Sequence, residues 1–199
     1  PFVPFSGFSA ENLVEKSDKM PWYKGFTANL SKTEVVSGYT LLDALEKVAK
    51  PPQRFPEKPL RIPINGIYKI KGVGDVITGR VEQGTVNAGD VVRVSREGIE
   101  NLKVFSVEMH HKTWPCAKPG DNVGMNMKGL DKMNIPKVGD VISLQSGRLV
   151  PVPSFVCQVV VQEPPGQLKP GFSPCVHVRT AKSACKMSKI SWKMGKKTG

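Results

Sequence analysis

Val76-Ile77-Thr78-Gly79-Arg80-Val81, then Asn87-Ala88-Gly89-Asp90, then Val91-Val92-Arg93-Val94-Ser95 is the passage that decides how this chain folds. Two runs rich in β-branched residues flank a turn whose Asn, Gly and Asp favour a tight reversal. The signature repeats in both directions. Upstream, Ile67 to Lys71 precedes Gly72-Val73-Gly74-Asp75. Downstream, Lys103 to Met109, Val123 to Lys128 and Val141 to Leu144 alternate with Pro119-Gly120-Asp121-Asn122 and Gly139-Asp140. About six short strands at this spacing, between Leu60 and about Leu149, predict a small closed β-barrel.

The pattern changes on either side of the barrel. Thr40 is placed to cap a helix, Asp43 follows three residues on as a capping-box partner, and Leu41, Leu42, Leu45 and Val48 share one helical face. Lys50-Pro51-Pro52 stops that helix. The proline-bearing stretch from Pro51 to Pro59 suits an extended linker, since each proline fixes φ and lacks an N–H. Beyond Pro151-Val152-Pro153, Phe155 to Val161 and Cys175 to Arg179 are expected as strands of another β unit. The expected organisation is therefore residues 1–50, a linker at 51–59, a barrel at 60–150 and part of a second β unit at 151–199. The chain opens at Pro1 on the apolar Phe2-Val3-Pro4-Phe5, from which a truncated N-terminus is expected.

Of the 199 residues, 39% are hydrophobic, enough for packed cores rather than disorder. No run approaches the roughly 18 apolar residues of a membrane helix, and no secretory signal pattern is visible. Cys116, Cys157, Cys175 and Cys185 are spread without a CxxC pair, so neither a zinc site nor a disulfide framework is expected, and a reducing compartment is. The formal charge of +12 is unevenly placed. Pro164 to Gly199 holds no Asp or Glu, whereas Lys169, Arg179, Lys182, Lys186, Lys189, Lys193, Lys196 and Lys197 lie along it. A polyanion such as nucleic acid fits that surface, because each neutralised phosphate releases condensed counterions.

Particular motifs carry a resemblance. Val3-Pro4-Phe5-Ser6-Gly7-Phe8-Ser9-Ala10, Met20-Pro21-Trp22-Tyr23-Lys24-Gly25, Thr40-Leu41-Leu42-Asp43-Ala44-Leu45 and Lys58-Pro59-Leu60-Arg61 follow one another in order. The barrel adds Tyr68-Lys69-Ile70, Thr78-Gly79-Arg80-Val81-Glu82, Val107-Glu108-Met109-His110-His111 and Gly120-Asp121-Asn122-Val123-Gly124. The third region adds Gln158-Val159-Val160-Val161, Pro165-Gly166-Gln167, Pro170-Gly171-Phe172-Ser173-Pro174 and His177-Val178-Arg179-Thr180-Ala181. This series resembles the translation elongation factor 1-alpha family, within the wider elongation factor Tu/1-alpha class of translational GTPases.

The resemblance implies a mainly β chain: the C-terminal end of an α/β GTPase domain, then a translation-factor β-barrel and part of a second β-barrel. It implies that Ser6, Gly7 and Phe8 form the last guanine-recognition loop, whose backbone N–H groups donate to the guanine carbonyl. It further implies that the barrel holds the aminoacylated 3′ end of tRNA. Glu108 would meet the terminal ribose and adenine, Asn122 would lie near the aminoacyl group, and Tyr68, Thr78 and His110 would complete the pocket. Arg179, Lys182 and Lys186 would face RNA.

One departure stands out. Where the family carries Gln-Asp or Glu-Asp before the pocket's aromatic, this chain has Asn65-Gly66, which removes a carboxylate near the amino acid. That change, with Pro21-Trp22-Tyr23 and the ending Lys186 to Lys196, resembles the divergent elongation factor-like branch.

Absences bound the chemistry. The chain has no GxxxxGK[ST] loop and no NKxD, Asp121-Asn122-Val123-Gly124 fits DxxG only by accident in a barrel turn, and no catalytic triad, paired-carboxylate arrangement or metal site can be drawn. The expectation is a non-catalytic portion of a cytoplasmic GTPase that uses GTP and Mg2+ when whole. Its expected partners are aminoacyl-tRNA, the ribosome and a guanine nucleotide exchange factor, with no membrane. The alternatives are a paralogous translational GTPase, such as a ribosome-rescue factor, a GTP-assisted sulfate-activating subunit, or a stand-alone RNA-binding module.

Overall fold

A computed structural model describes residues 1–147, 149–162, 166 and 168–191. Pro165, Gln167 and the lysine-rich end from Trp192 to Gly199 lie outside the described residues. The chain divides into two compact units, Pro1–Gln53 and Arg54–Gly199.

In the first unit, β1 (Phe26–Asn29) and β2 (Val35–Gly38) form an antiparallel hairpin that the sequence reading did not anticipate. The helix α1 (Leu41–Lys47) is short. Its capping box is complete: the Thr40 hydroxyl accepts from Asp43 N at 3.0 Å and the Asp43 carboxylate accepts from Thr40 N at 3.2 Å. Of its apolar face, Leu41 and Val48 are half-buried while Leu42 and Leu45 remain exposed.

The second unit holds a closed barrel. Its strands are β3 (Ile62–Ile70), β4 (Gly74–Arg80), β6 (Val91–Val94), β7 (Leu102–Met109), β10 (Asn122–Lys128) and β11 (Val141–Leu144). They run β10-β4-β3-β11-β6-β7, and antiparallel pairing of β7 with β10 closes the ring. The short strands β5 (Val86–Asn87) and β9 (Cys116–Ala117) pair apart, while β8 (Lys112–Trp114) extends the β7 hairpin. Alternate residues point inward, as strand geometry requires, and bury Ile62, Ile64, Ile77, Val92, Val94, Leu102, Val104, Val107, Val123, Met125 and Ile142.

Two bulges interrupt that alternation. In β3 the register slips between Ile64 and Gly66, leaving Asn65 unpaired; in β7 it slips between Val104 and Ser106, leaving Phe105 unpaired. A one-residue slip exchanges the two faces of a strand. Ile67 and Val107 therefore turn toward the core, and Tyr68 and Glu108 turn outward.

Beyond the barrel, β12 (Cys175–Val178) and β13 (Ala181–Ala184) form a hairpin. Phe155 to Val161 was expected as a strand and is not one. A strand needs a neighbour for its N–H and C=O groups; no described strand pairs with this segment, and Phe155, Val156, Val159 and Val160 are all exposed.

Candidate functional site

The outer face of the barrel carries an open pocket of about 450 Å³. Register builds it. Gly66 of β3 pairs with Thr78 of β4, Thr78 with Gly124 of β10, and Gly124 with Glu108 of β7, so these residues form one row across four strands. Thr78 and Glu108 stand on either side of Gly124, two strand spacings or about 10 Å apart along the sheet. Gly124 forms the floor: a Cβ there would stand 3.6 Å from Val76 Cγ1 and 3.9 Å from Thr78 Cγ2, so the strands fit an alanine while the pocket would become shallower.

Asn122 lies two residues along β10 from Gly124, on the same face and opposite Arg80. Tyr68 pairs with Val76, one row to the other side. The pocket thus gathers Tyr68, Thr78, Glu108, His110 and Asn122, the five barrel residues singled out from the sequence, together with Asn65, Met109 and Gly124. Met109 and Gly124 were not assigned to it. A glycine inside the strand-like Asn122 to Lys128 was the available signal, since glycine in a strand marks close approach.

Glu108 is free to accept. The Ser106 hydroxyl lies 3.5 Å from its Oε1, too far for a strong bond. The Thr78 hydroxyl donates to Asn65 Oδ1 at 2.6 Å, which ties β4 to the bulge of β3. His110 and His111 follow the last residue of β7. They are the two central residues of the β7–β8 turn, with φ of 52° and 60°. A two-residue hairpin that matches the strand twist needs positive φ at both positions, and histidine adopts it at a cost. Such strain gathers where side chains are placed for use. Among the described residues no cluster of His, Cys, Asp or Glu could hold a metal ion, and no helix is long and apolar enough to cross a membrane.

In the first unit, Ser6 and Glu11 exchange backbone hydrogen bonds at 3.1 Å and close a loop over Gly7 and Phe8. The Ser6 hydroxyl accepts from Ser9 N at 3.2 Å. Among the described residues no acceptor takes the N–H of Gly7 or Phe8, and both residues are exposed. Asn12 anchors the loop: its buried amide donates to the Pro4 and Tyr39 carbonyls at 2.8 and 3.0 Å.

Of the three basic residues singled out, Arg179 donates to Glu82 at 3.0 Å and ties the β12–β13 hairpin to the barrel. Lys182 and Lys186 are exposed and make no ion pair among the described residues. Two carboxylates in the first unit titrate below the ordinary range. Lys19, then Ser17, hold Glu11 down; Lys47, then the backbone N–H groups of Tyr39 and Thr40, hold Asp43 well below it.

Residues 74–143 match the family model for elongation factor Tu domain 2. Over all 199 residues the chain is 39% identical to elongation factor 1-alpha-A of Schizosaccharomyces pombe, covering 43% of that protein, and 39% identical to elongation factor 1-alpha of Onchocerca volvulus, covering 42%. The chain therefore spans less than half the length of these relatives. In fold it is similar to Sup35 complexed with GMPPNP, with a TM-score of 0.62 at 23% identity over 98% of this chain and 44% of that one. It is also similar to translation elongation factor SelB from Methanococcus maripaludis in its apo form, with a TM-score of 0.57 at 22% identity over 75% and 35%.

Proposed function

The chain belongs to the elongation factor Tu/1-alpha family, and from that premise we propose that the whole protein carries aminoacyl-tRNA to the ribosome in a GTP-dependent manner. The observation that carries this reading is the outer-face pocket, where Tyr68, Thr78, Glu108, His110 and Asn122 converge from four strands and a turn.

The chemistry of the pocket suits the terminal nucleoside of an RNA. The Glu108 carboxylate accepts from a ribose hydroxyl, a charge-assisted bond of about 1.5–3 kcal/mol. Asn122 offers both a donor and an acceptor to the ester end or the base edge. Tyr68 and His110 supply aromatic rings to the lining, and stacking on such a side chain contributes about 1–3 kcal/mol per base. Those sums position an RNA end without supplying all of its affinity; the remainder comes from phosphate contacts, for which exposed Lys182 and Lys186 are suited.

Ser6, Gly7 and Phe8 are assigned to the guanine of GTP, with the N–H groups of Gly7 and Phe8 as donors to its carbonyl oxygen. GTP with Mg2+, the ribosome, an exchange factor and a cytoplasmic location belong to the same reading, as do the domain limits at residues 50, 59 and 150. Asn65-Gly66 and Pro21-Trp22-Tyr23 support placing the chain in the elongation factor-like branch.

The test is protection of the ester. The full-length protein loaded with GTP is expected to slow hydrolysis of aminoacyl-tRNA and to bind it at least about tenfold more tightly than uncharged tRNA, a difference of about 1.4 kcal/mol. Equal affinity for the two, with no protection, contradicts delivery and favours a stand-alone RNA-binding role.

A further inference from the structure

We infer that the Asn65-Gly66 bulge sets the ligand class of the pocket, making it accept the acyl end of a charged RNA as a neutral group without selecting for an ammonium. This rests on the reading of the pocket as the seat of an RNA end and adds which chemical group it discriminates.

The Tyr68 side chain lies over the backbone at position 66. A Cβ there would fall 2.7 Å from both Tyr68 Cε2 and the Tyr68 hydroxyl, and 2.8 Å from Thr78 Oγ1. A side chain at 66 and the Tyr68 ring in this place exclude one another. Glycine is therefore what lets the tyrosine form this wall, and it rules out a carboxylate at the same point.

Asn65 adds no negative charge. Its carbonyl oxygen accepts from Thr78 at 2.6 Å, and the one lone pair left on it is a neutral acceptor that lacks the attraction a carboxylate has for an ammonium. Glu108 is the one carboxylate among the described residues that line the pocket. It stands three strand spacings from Gly66, about 14 Å along the sheet. With Glu108 engaged at the ribose, an acyl group held within this pocket meets an aromatic ring, a hydroxyl and an amide, and no second carboxylate lines it; Asp75 and Asp131 line the neighbouring cavity that Tyr68 also borders.

The experiment compares one tRNA esterified with alanine and with lactate, its neutral isostere, on the full-length protein loaded with GTP. The two affinities are expected to agree within about threefold. Gly66→Asp should raise the preference for alanyl over lactyl ends to about tenfold or more. Gly66→Ala, which displaces the tyrosine without adding charge, should leave the ratio near one while lowering both affinities. A wild-type preference of tenfold for the alanyl end overturns the inference, and this comparison needs no variant to fold. So does a Gly66→Asp ratio equal to that of Gly66→Ala. Glu108→Ala separates the two claims: a parallel loss for both ligands supports the pocket as their seat, whereas unchanged affinity for both overturns that reading and the inference with it.

Discussion

Glu108 reaches solvent because Phe105, three positions before it, is left unpaired in β7. Strict alternation from Leu102 and Val104 would carry residue 108 into the core, and the bulge reverses the face. Asn65 does the same for Tyr68 in β3. The identity of the pocket residues was legible in the sequence through their resemblance to a family pattern. The devices that expose them were not, because a bulge is defined by the partner strand and β7 meets β10 only when the barrel closes. Gly124 belongs at this scale too. Its Cβ would make ordinary contacts, so Gly124→Ala should change thermal stability by no more than about 0.5 kcal/mol. Affinity for charged tRNA should nonetheless fall, because a methyl group occupies the pocket floor. A melting curve beside a binding titration checks both halves; unchanged affinity would mean that the floor is not a contact surface.

Elements with local signals were read well from the sequence, and elements with distant partners were not. The capping box of α1 is complete within four residues, and the barrel strands follow from alternation and turn chemistry. The β1–β2 hairpin was missed because its strands are four residues each and its turn, Leu30 to Glu34, lacks glycine and proline. Phe155 to Val161 was over-read because β-propensity alone does not supply a neighbour. The helix also carries a pH dependence. Asp43 is held below the ordinary carboxylate range by Lys47 and by the N–H groups of Tyr39 and Thr40. A group whose folded pKa is depressed stabilises fully above its unfolded pKa, and that contribution is lost as pH falls through the folded value. Acidification below about pH 4 should therefore loosen the cap, with Tyr39 and Thr40 amides exchanging faster relative to a barrel amide such as that of Ile77. Asp43→Asn should remove that acid step. Equal acid response in the wild type and the variant would assign the step to other groups, Glu11 among them.

Across the whole molecule, family membership rests on 39% identity over the full 199 residues, and the fold is similar to those of Sup35 and of translation elongation factor SelB. The division of labour proposed here places the nucleotide loop at Ser6 to Phe8 in one unit and the RNA end at the barrel in the other. Arg179 binds the β12–β13 hairpin to Glu82, so of the three proposed RNA-facing residues Lys182 and Lys186 are the two with no ion pair among the described residues. The central claim is that the outer face of the barrel, around Glu108, holds the acylated end of tRNA. Its most direct measurement is the affinity of the full-length, GTP-loaded protein for aminoacyl-tRNA, compared between wild type and Glu108→Ala at one fixed salt concentration. A loss of about 10- to 100-fold is expected, the worth of one charge-assisted hydrogen bond, with the melting temperature unchanged because Glu108 is exposed. Equal affinity in the two proteins would contradict it.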